Sequence, residues 1–274
     1  MPRGDPFSQL CQLTAALAQP IAADLHTHTL ASDGGYTPSQ VLAFAQQAKL
    51  KAVAITDHDT LAGYDDASKL DSPVKLIPGV ELTTMWASRE THLLAYAFDP
   101  ADDDLRKLLR HQCELRRERF RTMVEALRAK GIELELGELL HRTPSVGRGH
   151  LAKLLTQAGR SARELFGGIA IPNTPFIEIS TAIGMIHHAG GIASLAHPRD
   201  EMTLGELEEL KLFGIDAIEI DHPRIGSARR GELSSWAERL GLLATGGSDC
   251  HGPGSNAIGS HGVRMAEWQK LERR

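Results

Sequence analysis

The sequence predicts an α/β fold in which short strands alternate with helices, pair in parallel and close into a barrel in preference to an open sheet. Three observations carry this: apolar runs of four or five residues, amphipathic stretches between them, and polar clusters where the runs stop. The C-terminal strand ends of parallel α/β architectures form the active face, and several ends that meet at one place are most easily arranged around a barrel.

Residues 7–19 pattern as a short amphipathic helix, and a strand at Ile21–Leu25 gives way to His-Thr-His-Thr at 26–29. Thr37 offers an N-cap and Pro38 a first helical residue, opening a helix to about Ala48 that buries Val41, Leu42, Phe44 and Ala45. A strand at Ala52–Thr56 ends in Asp57-His58-Asp59, the next at Val74–Ile77 in Pro78-Gly79-Val80-Glu81, and His92 opens the strand after that. Between about 100 and 185 the alternation lapses. There Asp102, Asp103 and Asp104 cap a long helix to about Ala129, with Leu105, Leu108, Leu109, Phe120, Met123, Val124 and Leu127 as its buried stripe. Nine Arg or Lys residues from Arg106 to Lys130 face outward or across the active site, and a solvated face is the preferred reading.

A second helix, Gly149–Gln157, follows the Gly147-Arg148-Gly149-His150 turn. Alternation then resumes: strands at Ile192–Ala196, Ala217–Ile220 and Leu242–Thr245 lead into His197, Asp221-His222 and Gly246-Gly247-Ser248-Asp249-Cys250-His251. Helices at Leu204–Phe213 and Ala228–Leu240 lie between them. The expected organisation is an extension (1–19), a barrel (20–99 and 186–274) and an inserted, mainly helical substrate-binding subdomain (100–185).

A chain of 274 residues is one large domain or one domain with an insertion, at roughly 150 residues per domain. A net charge of -5 excludes the overall cationic field of a duplex-wrapping protein. Three cysteines, Cys11, Cys113 and Cys250, are too few for a disulfide framework and favour a reducing compartment, the cytoplasm. The first twenty residues do not read as a signal peptide, and no run is long and apolar enough to span a bilayer.

His26 and His28 alternate along an extended segment and so share one face, from which both imidazoles can take one metal ion together. Asp33, His58, Glu81, His92, His197, Asp249 and His251 also sit at strand ends or adjoining turns. Burying so many ionisable groups without compensation is costly, so cations are their natural partners. Nine nitrogen and oxygen donors exceed one tetrahedral shell and suit two or three divalent ions, Mn2+, Fe2+ or Zn2+, better than a thiolate site or Mg2+ alone. Asp57 and Asp59 flank His58 as candidate orienters of ligands. Cys250 points away from its neighbours' face and reads as a packed thiol, and His187 and His188 close a helix.

The segments from His26, Thr56-Asp57-His58-Asp59, Pro78-Gly79-Val80-Glu81, Ala196-His197-Pro198 and Gly247-Ser248-Asp249-Cys250-His251 resemble the polymerase and histidinol phosphatase (PHP) family. Their order is similar to its branch of bacterial 5'-to-3' exoribonucleases and 3',5'-nucleoside bisphosphate phosphatases. The resemblance implies a distorted, TIM-like (β/α)7 barrel with a helical insertion and a trinuclear site. It places His26, His28, Glu81 and Asp249 on one ion, Glu81, His92 and His197 on a second, and Asp33, His58 and His251 on the third.

It further implies attack on phosphorus by a metal-bound hydroxide. Glu81, Asp249, His197, Arg148 and Arg199 would carry catalysis, and Arg148, His150, Arg199 and His222 would contact the substrate. Two stretches depart from the branch pattern, Phe166–Pro172 and Arg224-Ile225-Gly226-Ser227. The expected substrate is therefore a phosphorylated small molecule, nucleotide or short single-stranded RNA, with no membrane and no obligate protein partner. The alternatives are a histidinol-phosphate or other phosphomonoester phosphatase, and a noncatalytic nucleic-acid-binding module.

Overall fold

The computed structural model describes residues 20–161, 169–265 and Trp268. The helix expected at 7–19 and part of the divergent Phe166–Pro172 stretch lie outside the described residues. Among the described residues eight strands form one sheet in the order β7-β6-β5-β4-β3-β2-β1-β8. They are β1 (Ile21–Thr27), β2 (Ala52–Ile55), β3 (Lys75–Trp86), β4 (Arg89–Tyr96), β5 (Ile192–Leu195), β6 (Ala217–Asp221), β7 (Leu243–Gly246) and β8 (Val263–Arg264). The loop after β7 closes the barrel against β1: Asp249 N donates to His26 O (2.9 Å) and His28 N to Cys250 O (3.0 Å).

The helices are α1 (Pro38–Gln47), α2 (Ala62–Ala67), α3 (Asp103–Arg128), α4 (Leu139–Arg142), α5 (Arg148–Gln157), α6 (Ile179–His188), α7 (Leu204–Leu212) and α8 (Ser227–Leu240). Thr37 caps α1 in a capping box with Gln40, and the Asp102 carboxylate caps α3 by accepting from Leu105 N. These starts are set locally, by a side-chain acceptor that satisfies an otherwise orphaned N–H.

Parallel pairing is not uniform. β3 and β4 form an antiparallel hairpin, and β4 runs antiparallel to β5. The turn is Ala87-Ser88, with φ of 47° and 60°, the left-handed pair that a two-residue hairpin needs. Neither residue carries the usual Asn-Gly signature, which is why the hairpin is not legible in the sequence. Glu81 therefore does not end a strand and His92 does not open one; both lie within strands. β3 runs on past the end of β2, so Glu81 still reaches the active layer, bridged to His58.

The main core packs β3–β6 against α6, α7 and α8 through residues such as Val80, Leu93, Ile183, Leu207, Ile218 and Leu233. Leu105 and Leu109 of α3 join it. Farther along α3, Phe120, Met123, Val124 and Leu127 build a separate cluster with Val146, Leu151 and Leu155 around α5.

The basic face of α3 is not simply solvated. Arg116 and Arg119 are buried, Arg116 pairing with Asp59 and Arg119 with Glu90 at 2.5 Å. The correction has a physical cause. The barrel rim opposite α3 supplies carboxylates, Asp59 buried and Glu90 half-buried, which long guanidinium stems reach while staying packed.

Candidate metal centre

Glu81 is the hub of the site and is 1% exposed. Its Oε2 lies 3.3 Å from His26 Nε2, 3.3 Å from His28 Nε2 and 3.1 Å from His58 Nδ1. Its Oε1 lies 2.7 Å from His92 Nδ1 and 3.0 Å from His197 Nε2. His92 pairs with Thr83, two residues from Glu81 on the same strand face, which makes Glu81 and His92 diagonal neighbours. Asp249 Oδ1 stands 3.4 Å from His26 Nε2 and 3.2 Å from His28 Nε2. Asp33 Oδ1 stands 3.3 Å from His251 Nε2 and 3.8 Å from His58 Nε2. All nine sequence-predicted metal-facing residues thus meet in one place.

Cations fit this arrangement. His26 Nε2, His28 Nε2, His58 Nδ1, Asp33 Oδ1 and Glu81 Oε2 are buried without hydrogen-bond partners, and all point inward. Such atoms are expensive to bury unless something positively charged satisfies them. Among the described residues, His28, Asp33, His58 and His251, then His26, His28 and Asp249, then His58, Glu81 and His92 form groups compact enough for an ion, as do His26, Glu219 and His222 behind them. Burial pushes the Glu81 carboxyl up, yet His58, His92, His26 and His197 outweigh it and hold it well below the ordinary range. Burial pulls His92 down, and Glu81 more than compensates, raising it to about 9. Asp33 likewise lifts His251 to about 9 against its burial.

Local backbone choices serve the site. His197 and Asp249 take left-handed φ values of 26° and 49°, sparsely populated for residues with a Cβ. Asp57 accepts from Thr29 N (2.7 Å) and Ser32 Oγ (2.6 Å), and Ser32 Oγ stands 3.4 Å from His28 Nδ1. Asp59 accepts from Thr83 N and its own N–H donates to Glu81 O. Both aspartates therefore act through neighbours rather than facing the cavity centre. Cys250 is buried in an apolar cluster.

A cavity of about 470 Å³ is lined by Asp33, His58, Glu81, His92, Arg116, Arg148, His197, Arg224, Asp249 and His251. A second, about 260 Å³, adjoins it along Arg148, Arg224, His92 and His197 and extends to Trp86 and Arg199. Arg148 spans the two while held by Glu90 at 2.6 Å. Arg199 is engaged with Glu206 and lies 5.8 Å over the Trp86 ring.

His150 lines neither cavity. It is 8% exposed and its Nδ1 accepts from Gly147 N (3.2 Å), so it braces the start of α5. His222 is wholly buried, with Nε2 3.4 Å from Asp249 Oδ2.

Arg224, from one of the two stretches that depart from the branch pattern, lines both cavities, and three further contributors were not foreseen: Glu219, Glu90 and Arg116. Glu219 accepts from His197 N (2.7 Å) and meets His26 Nδ1 at 3.0 Å. Its signal was present in Ala217-Ile218-Glu219-Ile220, a carboxylate inside a strand otherwise fit for full burial. Glu90 shares a strand face with His92 by alternation. Nothing local marks Arg116 among the basic residues of its helix.

Residues 24–182 match the family profile of the PHP domain. The chain is 34% identical to the 5'-3' exoribonuclease Rnm of Salmonella typhimurium, over 84% of this chain and 85% of that protein. It is 30% identical to the 3',5'-nucleoside bisphosphate phosphatase of Chromobacterium violaceum, over 92% and 96%. A solved structure from Bifidobacterium adolescentis, named by inference as a metal-dependent phosphoesterase, superposes with a TM-score of 0.80 at 29% identity, covering 93% of this chain and 96% of that one. With its barrel and its cluster of imidazoles and carboxylates, the chain belongs to the PHP domain family. It is a metal-dependent phosphoesterase. Among the described residues no helix is long and apolar enough to cross a membrane.

Proposed function

We propose that this chain hydrolyses phosphate esters of nucleotides or short 5'-phosphorylated RNA. The observation that carries the reading is Glu81, whose two oxygens face separate sets of histidines, as a carboxylate shared between cations would. The substrate class is supported by the relatives named an exoribonuclease and a nucleoside bisphosphate phosphatase. Two or three divalent ions, Mn2+, Fe2+ or Zn2+, suit the donor set: His26, His28, Glu81 and Asp249; Glu81, His92 and His197; Asp33, His58 and His251. When bound, they supply Lewis acidity toward phosphoryl oxygens and lower the pKa of water.

The chain's own residues then orient the ester. Arg148, at the junction of the two cavities, grips a nonbridging oxygen, and Arg224, 72% exposed and 3.7 Å from Asp249 Oδ2, meets the substrate at the rim. Trp86 and Arg199 form the wall on the leaving-group side. His222 steadies Asp249 from behind. The helices from 103 to 157 serve as the substrate-binding lobe, with Arg116 and Arg148 reaching the cavity from them. Free thiols at Cys113 and Cys250 favour action in the cytoplasm.

The test pairs metal analysis with a panel of nucleoside 3',5'-bisphosphate, a 5'-phosphorylated oligoribonucleotide and histidinol phosphate. Release of phosphate or mononucleotides from the first two is expected. Glu81→Ala and Asp249→Ala should lose metal and turnover, while Arg148→Ala mainly raises KM. Failure to hydrolyse either nucleotide substrate after metal reconstitution refutes the substrate class, and faster turnover of histidinol phosphate reassigns it.

A further inference from the structure

The centre is held from below by a carboxylate that faces none of its cavity. Glu219, in the middle of β6, is 0% exposed and directs both oxygens to metal-facing histidines from different parts of the barrel, His26 in β1 and His197 in the loop after β5. Oε1 lies 3.0 Å from His26 Nδ1, and Oε2 accepts from the backbone N–H of His197 at 2.7 Å. The first contact uses the ring nitrogen turned away from the cavity, leaving Nε2 aimed at Glu81 and Asp249. The second holds the one histidine of the site whose backbone is left-handed, a conformation that persists only where its surroundings enforce it.

We infer that Glu219 is a positioning residue that ties two parts of the metal centre together, fixing the His26 tautomer with its proton on Nδ1 while anchoring the strained His197 backbone. A carboxylate suits this double task because it offers only acceptors, so both N–H groups are satisfied at once. An amide cannot satisfy both. If Gln at 219 turns its oxygen to His197 N–H, its NH2 faces His26 Nδ1, which must then accept, and the ring proton moves to Nε2, where it blocks the cation. If it turns the other way, NH2 opposes the His197 N–H and the strained turn loses its anchor. Carboxylates placed behind metal-bound imidazoles commonly change metal affinity or activity 10–100-fold when altered.

This inference rests on the reading of His26 and His197 as metal-facing, and the test separates the two. The full-length protein, stripped of metal, is titrated with Mn2+ by calorimetry and chelator competition as wild type, Glu219→Gln and Glu81→Gln. Glu219→Gln should bind the wild-type number of ions with 10–100-fold weaker affinity at the affected site. In zinc-loaded wild type, 15N NMR should show the His26 proton on Nδ1.

If Glu81→Gln binds Mn2+ as wild type does, the metal reading fails and this inference with it. If Glu81→Gln is impaired while Glu219→Gln matches wild type, the role of Glu219 alone is refuted. Loss of one whole ion in Glu219→Gln also refutes it, since Glu219 would then be a ligand with His222. Should Glu219→Gln not fold, the wild-type spectrum decides: a His26 Nδ1 without a proton overturns the inference.

Discussion

Arg116→Met is the perturbation whose size follows most directly from the fold. The Arg116 guanidinium, 4% exposed, reaches from α3 to the rim, donating through Nε to Asp59 and through Nη2 to Thr83 Oγ1. Asp59 is 0% exposed, and without Arg116 it retains Thr83 N at 2.8 Å and Thr83 Oγ1 at 2.7 Å but no countercharge of that kind. Breaking a buried pair by removing one partner costs about 3–5 kcal/mol, because the remaining charge stays desolvated. At roughly 2–4 °C per kcal/mol for a chain of this size class, the apo-protein's melting temperature should fall by about 6–20 °C.

Differential scanning calorimetry on Arg116→Met, Asp59→Asn and the double variant measures this. The double variant should be less destabilised than the sum of the singles, since neutralising Asp59 removes the stranded charge. Lys107→Met, on the same helix but paired with Asp104 on the surface, should leave the transition unchanged. A loss below about 1 kcal/mol for Arg116→Met, or strict additivity in the cycle, would refute the argument that α3 is fastened by this charge pair.

Gly247→Ala should damage the centre without touching a metal-facing atom. Its Cβ would lie 2.3 Å from His26 Cβ and 2.4 Å from His26 N, so β1 and the loop after β7 must separate. A stability loss of at least about 1–3 kcal/mol is expected in urea unfolding, together with weaker Mn2+ binding in a dialysis assay; wild-type behaviour in both excludes the predicted collision. His92 and His251 are both raised to about 9. Their contribution to apo-protein stability is complete below their unfolded value near 6.5 and disappears as pH rises through about 9. The apo melting temperature should therefore decline across that window while divalent-ion affinity climbs, as cations replace the protons. A flat calorimetric profile between pH 6.5 and 9 contradicts this. Asp33, Glu81 and Asp249 are held low by the surrounding histidines despite burial, so their stabilising share is lost only on acidification below the ordinary carboxylate range.

The caps at Thr37 and Asp102, the starts of β1, β2, β5 and β6, and the nine imidazoles and carboxylates of the site were legible in the chain, because each depends on period, a neighbouring acceptor or a residue type with one affordable use when buried. The hairpin at Ala87-Ser88 was not legible, since its left-handed turn carries no turn signature and is imposed by the pairing of β3 with β4. His150 was misplaced because a histidine next to an arginine at a helix start looks the same in sequence whether it faces ligand or packs inward; here it packs inward. Glu219 and His26 are separated by 193 positions and Arg116 and Asp59 by 57. The sequence by itself determined which imidazoles and carboxylates are candidates to share a cation. Only the tertiary structure decided which buried partners orient those groups, because the energy of a desolvated charge depends on what the fold brings within a hydrogen bond of it, and local pattern carries no record of that.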